Sequence, residues 1–198
     1  MNMTDFEKTM EHCARRRDLW SPFASQMNAL ETGKEAGIYW DGSTASEILY
    51  LLMRFRWQVL HRDPEPVLIC PGRHMPDWPV PVVSTWTGMT MLPLCQDDLV
   101  ALFLGRMFLE GRTVPYAPQD RKHGTAYPLF QVRLRSLKNA ARALDLFWKA
   151  PAQQQSPEYV MGLEVIQKTQ SDPKILWEHL VRSMENVHPE TFPFHSRS

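Results

Sequence analysis

Between Pro64 and Pro93 the chain carries seven prolines in thirty residues, and no other feature limits its fold as sharply. Each proline removes a backbone donor and fixes φ, so neither a continuous helix nor a wide, fully paired strand fits this stretch. The runs between them, Val67-Leu68-Ile69-Cys70 and Val82-Val83-Ser84-Thr85-Trp86, are short and rich in β-branched and aromatic residues, the composition of strands. Two or three short strands are expected, placed at sheet edges or in extended loops.

On either side the pattern turns helical. Thr4-Asp5-Phe6-Glu7 and Thr44-Ala45-Ser46-Glu47 read as capping boxes, in which hydroxyl and carboxylate satisfy orphan amides of a first turn. After the first box, Phe6, Met10 and Cys13 or Ala14 recur at three-to-four spacing towards Asp18, and a second short helix is expected from Pro22 to about Glu31. Gly33 and Gly37 mark a turn. After the second box, Ile48, Leu51, Leu52, Phe55 and Val59 share one face. Gln96-Asp97-Asp98 places acids at the start of a helix that runs from Leu99 to Glu110 and stops at Gly111, weakened modestly by Gly105.

Phe130 to Arg135 alternates apolar and polar residues and reads as a strand with Phe130, Val132 and Leu134 inward. Ser136 then caps a helix whose buried face is Leu137, Ala140, Ala141, Leu144 and Trp148. Ser156-Pro157 and Ser171-Asp172-Pro173 each set a capping side chain before a proline at a helix start, so a helical hairpin closes the chain. The expected fold is α+β: a helical N-terminal part, a small and mainly antiparallel central sheet, and a C-terminal helical hairpin. Residues 1–150 would form the core domain, 151–187 the hairpin packed on it, and 188–198 a disordered tail.

The formal net charge is zero, but it is a cancellation. Residues 1–105 hold 9 Lys and Arg against 13 Asp and Glu, residues 106–149 hold 9 against 3, and residues 150–198 hold 4 against 6. The plainest account of the basic block is a solvated face, partly paired with flanking acids. The functional account is a phosphate-binding surface formed by Arg112, Arg121, Lys122, His123, Arg133, Arg135, Lys138 and Arg142. Tyr116, Tyr127 and Trp148 lie near enough in sequence to stack on bases.

Catalytic and metal signatures are sparse. There is no G-x-S-x-G, P-loop, G-x-G-x-x-G, paired C-x-x-C or H-x-x-x-H. Cys70, His74 and Cys95 are the best metal candidates and are read as a buried thiol beside a loop histidine. Asp120-Arg121-Lys122 matches half of a metal-dependent nuclease pattern, with Asp97 or Asp98 as a further carboxylate. These readings point to a non-enzymatic subunit that binds nucleic acid through a central basic face, as a member of a larger nucleoprotein assembly would, with no cofactor, metal or catalytic residue. The alternatives are an adaptor that meets a protein partner and a nuclease-like hydrolase. Three scattered cysteines, no apolar leader and no membrane-length apolar run imply a cytoplasmic protein without membrane contact.

Overall fold

The computed structural model describes residues 3–30, 36–61, 65–70, 81–111, 119–120, 123–169, 178–180 and 182. The chain divides into two compact units, Met1–Cys95 with Pro118–Ala152, and Gln96–Ala117 with Gln153–Ser198. The first unit holds helices α1 (Met3–Ala14), α2 (Arg17–Ala29), α3 (Thr44–Gln58) and α5 (Leu134–Ala143). It also holds strands β1 (Ala36–Tyr39), β2 (Val67–Ile69), β3 (Val82–Val83), β4 (Met89–Met91), β5 (Gln119–Asp120) and β6 (Thr125–Ala126). The second holds α4 (Gln96–Glu110), the 3-10 turn that ends at Gln155, and α6 (Pro157–Lys168).

The six strands form one sheet in the order β3-β2-β1-β4-β6-β5. β1 pairs parallel with β2, Ile38 facing Leu68, and parallel with β4, Ile38 facing Met91. The β2–β3 and β4–β6 pairs are also parallel, and the β5–β6 pair is antiparallel. This corrects the expected α+β fold with a mainly antiparallel sheet. Short runs that lie close in sequence suggest hairpins, but parallel neighbours need a crossover, and here α3 supplies it between β1 and β2. The fold is α/β, a mostly parallel sheet layered with helices, Rossmann-like in kind.

The prolines are accommodated by position. β2 is an inner strand, not an edge, and its three residues contain no proline because Pro66 lies just before it and Pro71 just after. Its ladder is therefore intact: Leu68 N donates to Pro81 O at 2.9 Å, Cys70 N to Val83 O at 3.0 Å, and Trp40 N to Ile69 O at 2.9 Å. β3 is the edge. In β1, Gly37 is required by close approach, since a Cβ there would sit 2.7 Å from Ile69 Cδ1 and 2.9 Å from Trp86 Cε2.

α3 is buried almost all round, through Ile48, Leu49, Tyr50, Leu51, Leu52 and Met53. It joins Met10, Leu19, Phe23, Ile38, Leu68 and Met91 in one core cluster, each large side chain contributing about 1.5–3 kcal/mol relative to exposure. The alternating segment from Phe130 is not a strand. Phe130 N bonds to Tyr127 O and Val132 N to Leu129 O, two tight turns that bury Phe130 and Val132, and helix begins at Leu134. Leu137, Ala140 and Ala141 continue a 3.6-residue apolar period that overrides the short alternation. The cap lies earlier than Ser136, at Arg133. α2 likewise begins before its expected start, and Pro22 lies inside it.

In the second unit, α4 and α6 cross closely and antiparallel, with Gly105 against the Glu158 backbone and Gly162 against the Ala101 backbone. Gly105 is thus a packing requirement and more than a weak point, because a Cβ at either glycine would enter the other helix's main chain. Ser156 caps α6 by accepting from Tyr159 N at 3.2 Å, ahead of Pro157 in the first turn. The start of the second helix of the expected closing hairpin, at Ser171-Asp172-Pro173, and the tail from residue 188 lie outside the described residues, while residues 178–180 and 182 are helical. Among the described residues, no helix is long and apolar enough to cross a membrane.

Candidate functional site

The strand order locates the site. From β1 the chain goes through α3 to β2 on one side, and β4 later pairs on the other side of β1. Open α/β sheets bind ligands beyond the carboxyl ends of the strands at such a reversal. Trp40, Asp41, Gly42 and Ser43 follow β1 and lead into the amino end of α3. Gly42 has φ +74, a left-handed conformation that favours glycine.

This turn is closed by its own side chains. Asp41 Oδ1 accepts from Ser43 N at 2.9 Å, Ser43 Oγ caps Ser46 N at 3.1 Å, and Ser46 Oγ donates to Ser43 O at 2.7 Å. The cap is therefore Ser43, one residue before the expected Thr44. Thr44 instead binds a later segment. Its amide donates to Lys149 O at 3.0 Å, its hydroxyl donates to Phe147 O at 2.9 Å, and that hydroxyl accepts from Lys149 N at 2.7 Å. Ala152 N reaches Asp41 Oδ2 at 3.3 Å. The amides of Ser43, Thr44 and Ser46, which could cradle a phosphate at a helix start, are thus engaged by the protein itself. Glu47, in the first turn of α3, is half-buried. Burial pushes its carboxyl up to about 7, against the opposing pull of Lys149.

A cleft opens beside this strap. It has about 520 Å³ of space and is lined by Lys138, Arg142, Asp145, Leu146, Phe147 and Trp148, with Ala141 at its floor. Helix α5 ends in a two-bond cap, Leu146 N to Ala141 O at 2.8 Å and Asp145 N to Arg142 O at 3.2 Å. Asp145 takes the left-handed position usually given to glycine, φ 55. Phe147 then projects into solvent, 91% exposed. Lys138 Nζ lies 5.7 Å from the centre of the Trp148 ring, within cation–π range.

The sequence-predicted residues are placed as follows. Arg112, Arg121 and Lys122 lie outside the described residues. His123 is exposed, and its Nδ1 sits 2.6 Å from Asp120 Oδ2. Arg133 is the half-buried cap residue of α5 and not a strand residue beside Arg135. Arg135, Lys138 and Arg142 are exposed and spaced along one face of α5, opposite Leu137, Ala140 and Ala141.

Two carboxylates of the nuclease-like set are engaged within the protein. Asp120 binds His123 through ring and amide nitrogens, and Asp98 is 1% exposed and accepts from Gln154 Nε2 at 2.7 Å. Of the metal candidates, Cys70 and Cys95 are buried and in no disulfide, and His74 lies outside the described residues. The residues missed in the sequence are Asp41, Ser43, Glu47 and Phe147. The available signal was Asp41-Gly42-Ser43 between an apolar tetrapeptide and a helix, a strand–turn–helix pattern hidden by assigning Gly37 to a turn.

No protein-family model matches the chain, and no curated protein sequence matches it. Among solved structures, the fold is similar to that of the U34-tRNA thiolase NcsA from Methanococcus maripaludis with its [4Fe-4S] cluster, at TM-score 0.52 and 11% identity over 93% of this chain and 80% of that one. At that identity the likeness is one of fold. The expectation of a non-enzymatic binding subunit is corrected here and not kept: it rested on charge alone, and the solved protein that shares the fold is an enzyme.

Proposed function

We propose that this chain is an enzyme acting on RNA of the tRNA class, with Glu47 moving a proton at the carboxyl edge of the parallel sheet. The observation that carries the reading is the placement of Glu47, one turn into α3 at the strand-order reversal, in surroundings that bring its carboxyl up to about 7. A carboxyl balanced near neutral pH exchanges protons most effectively there. The substrate class comes from the tRNA-acting enzyme that shares the scaffold. The turn's own amides are engaged, so phosphate contacts fall to cations, and Arg135, Lys138 and Arg142 on one face of α5 supply them.

The chain does not fit the cluster named with the solved thiolase. Iron–sulfur clusters are held by cysteine thiolates. Cys13, Cys70 and Cys95 are buried, and burial pushes the Cys13 thiol to about 12 and raises Cys70. Among the described residues no group of three or more His, Cys, Asp and Glu gathers to hold a metal ion.

The test is genetic and chemical. Nucleosides of purified tRNA are profiled by mass spectrometry in cells with and without this chain. At least one nucleoside should change on deletion and return with the wild-type chain but not with Glu47→Gln. An unchanged profile on deletion would remove the reading.

A further inference from the structure

We infer that the cleft between α5 and the Phe147–Trp148 strap binds one nucleotide, its base against Phe147 and its phosphate between Lys138 and Arg142. As a site within an RNA strand this rests on the proposed RNA substrate; as a site for a free nucleotide it does not.

Three observations carry it. The first is the cost accepted to display Phe147. An aromatic side chain 91% exposed forgoes burial that a mobile loop would recover by folding back. Here the backbone is fixed on both sides of Phe147, upstream by the cap at the end of α5 and downstream by the Thr44 hydroxyl and amide. A ring presented from a backbone already fixed needs no backbone ordering on binding, which leaves more of its stacking energy for affinity.

The second is charge. Lys138 and Arg142 lie four residues apart on α5, a spacing that brings their stems within about 5–6 Å of each other, near enough for both to meet one phosphate. Lys138 is held over the Trp148 ring, so one cation is already oriented. Asp145 is the acid of the cleft, and it leaves a surplus of one positive charge.

The third is size and shape. A space of about 520 Å³ lies inside the roughly 300–1,000 Å³ range of small-ligand sites. A flat aromatic wall, a second ring and paired cations fit a planar base joined to a phosphate better than an aliphatic or purely acidic ligand.

The full chain is titrated with a short labelled oligoribonucleotide by fluorescence anisotropy and with adenosine 5′-monophosphate by calorimetry. Phe147→Ala, and separately the Lys138→Glu/Arg142→Glu pair, should each weaken binding about tenfold or more, whereas Phe147→Tyr keeps wild-type affinity. All these side chains are at least partly open to solvent, and circular dichroism checks that each variant folds. If neither probe binds, or the Phe147→Ala variant binds as the wild type does, the inference is overturned. RNA held equally by every variant overturns the cleft and the phosphate contacts assigned to Lys138 and Arg142, while the action on RNA still stands or falls with the nucleoside profile. Mononucleotide binding that depends on Phe147, without RNA binding, supports the cleft and removes RNA as the source of the nucleotide.

Discussion

Two helix starts in the same unit are built in opposite ways. α3 begins with Ser43 as a side-chain cap, carries Glu47 in its first turn, and has its early amides engaged by Asp41, Ser43 and Lys149. α5 begins at Arg133 with no side-chain cap, no acid in its first turn, and Arg135 placed where the helix dipole is already positive. The first is satisfied from within. The second keeps positive charge facing outward at a local cost, and the cleft lies farther along the same cationic face. In this protein, then, the carboxyl raised by burial and the outward-facing cations belong to different helix starts, linked by the strap from Phe147 to Ala152.

The sharpest way to break the closed start is Thr44→Val, which keeps the shape and deletes the hydroxyl. Thr44 is 2% exposed, so Lys149 N and Phe147 O, in part-buried bonds, would both lose a partner. A loss of about 2–3 kcal/mol is expected from urea denaturation, within the usual range for buried polar groups left unpaired. Amide exchange at Lys149 should quicken in parallel. An unchanged midpoint would mean that the strap is not fastened at Thr44.

Glu47 gives the closed start a pH signature. Its carboxyl is raised from 4.5 to about 7 in the folded protein, so the folded state binds the proton more tightly than the unfolded chain. Between those two values the unfolded state ionises first, and stability should fall as pH rises through the window and level off above it. Glu47→Gln should abolish this slope and raise stability above about pH 7 by roughly 1–2 kcal/mol, a figure reduced for partial exposure. The same slope in the variant would assign it to another group.

The same two helix starts show what the sequence makes legible. The helices carrying long apolar periods were visible: α3 through Ile48, Leu51 and Leu52, and α5 through Leu137, Ala140 and Ala141. So was the Ser156–Pro157 start of α6. The sheet was not, because its strands are two to four residues long and their parallel partners lie across crossovers, where no local turn chemistry records the pairing. β1 was lost for a further reason. Gly37 serves close packing inside the strand but looks like punctuation in a sequence. Without β1 there is no switch point, so Glu47 reads as half of a capping box with Thr44, and Asp41 and Ser43 carry no signal. The cations of α5 were found by counting charge, whereas their alignment needed the helix to begin at Leu134, displacing the strand that had paired Arg133 with Arg135.

The smallest effect sharpens the other side of the comparison. Arg135→Glu places at the start of α5 the kind of charge that α3 already has, and it should stabilise the fold by about 0.3–1 kcal/mol at low ionic strength, since an acid complements the dipole that Arg135 opposes. The gain should fade as salt screens it. On an RNA column the same variant should elute at lower salt than the wild type, because a phosphate contact has been exchanged for a repulsion. Opposite signs in the two measurements would identify Arg135 as a residue kept for its charge at the expense of its helix. If stability instead falls, Arg135 is satisfying a partner within the fold, and α5 begins as self-contained as α3.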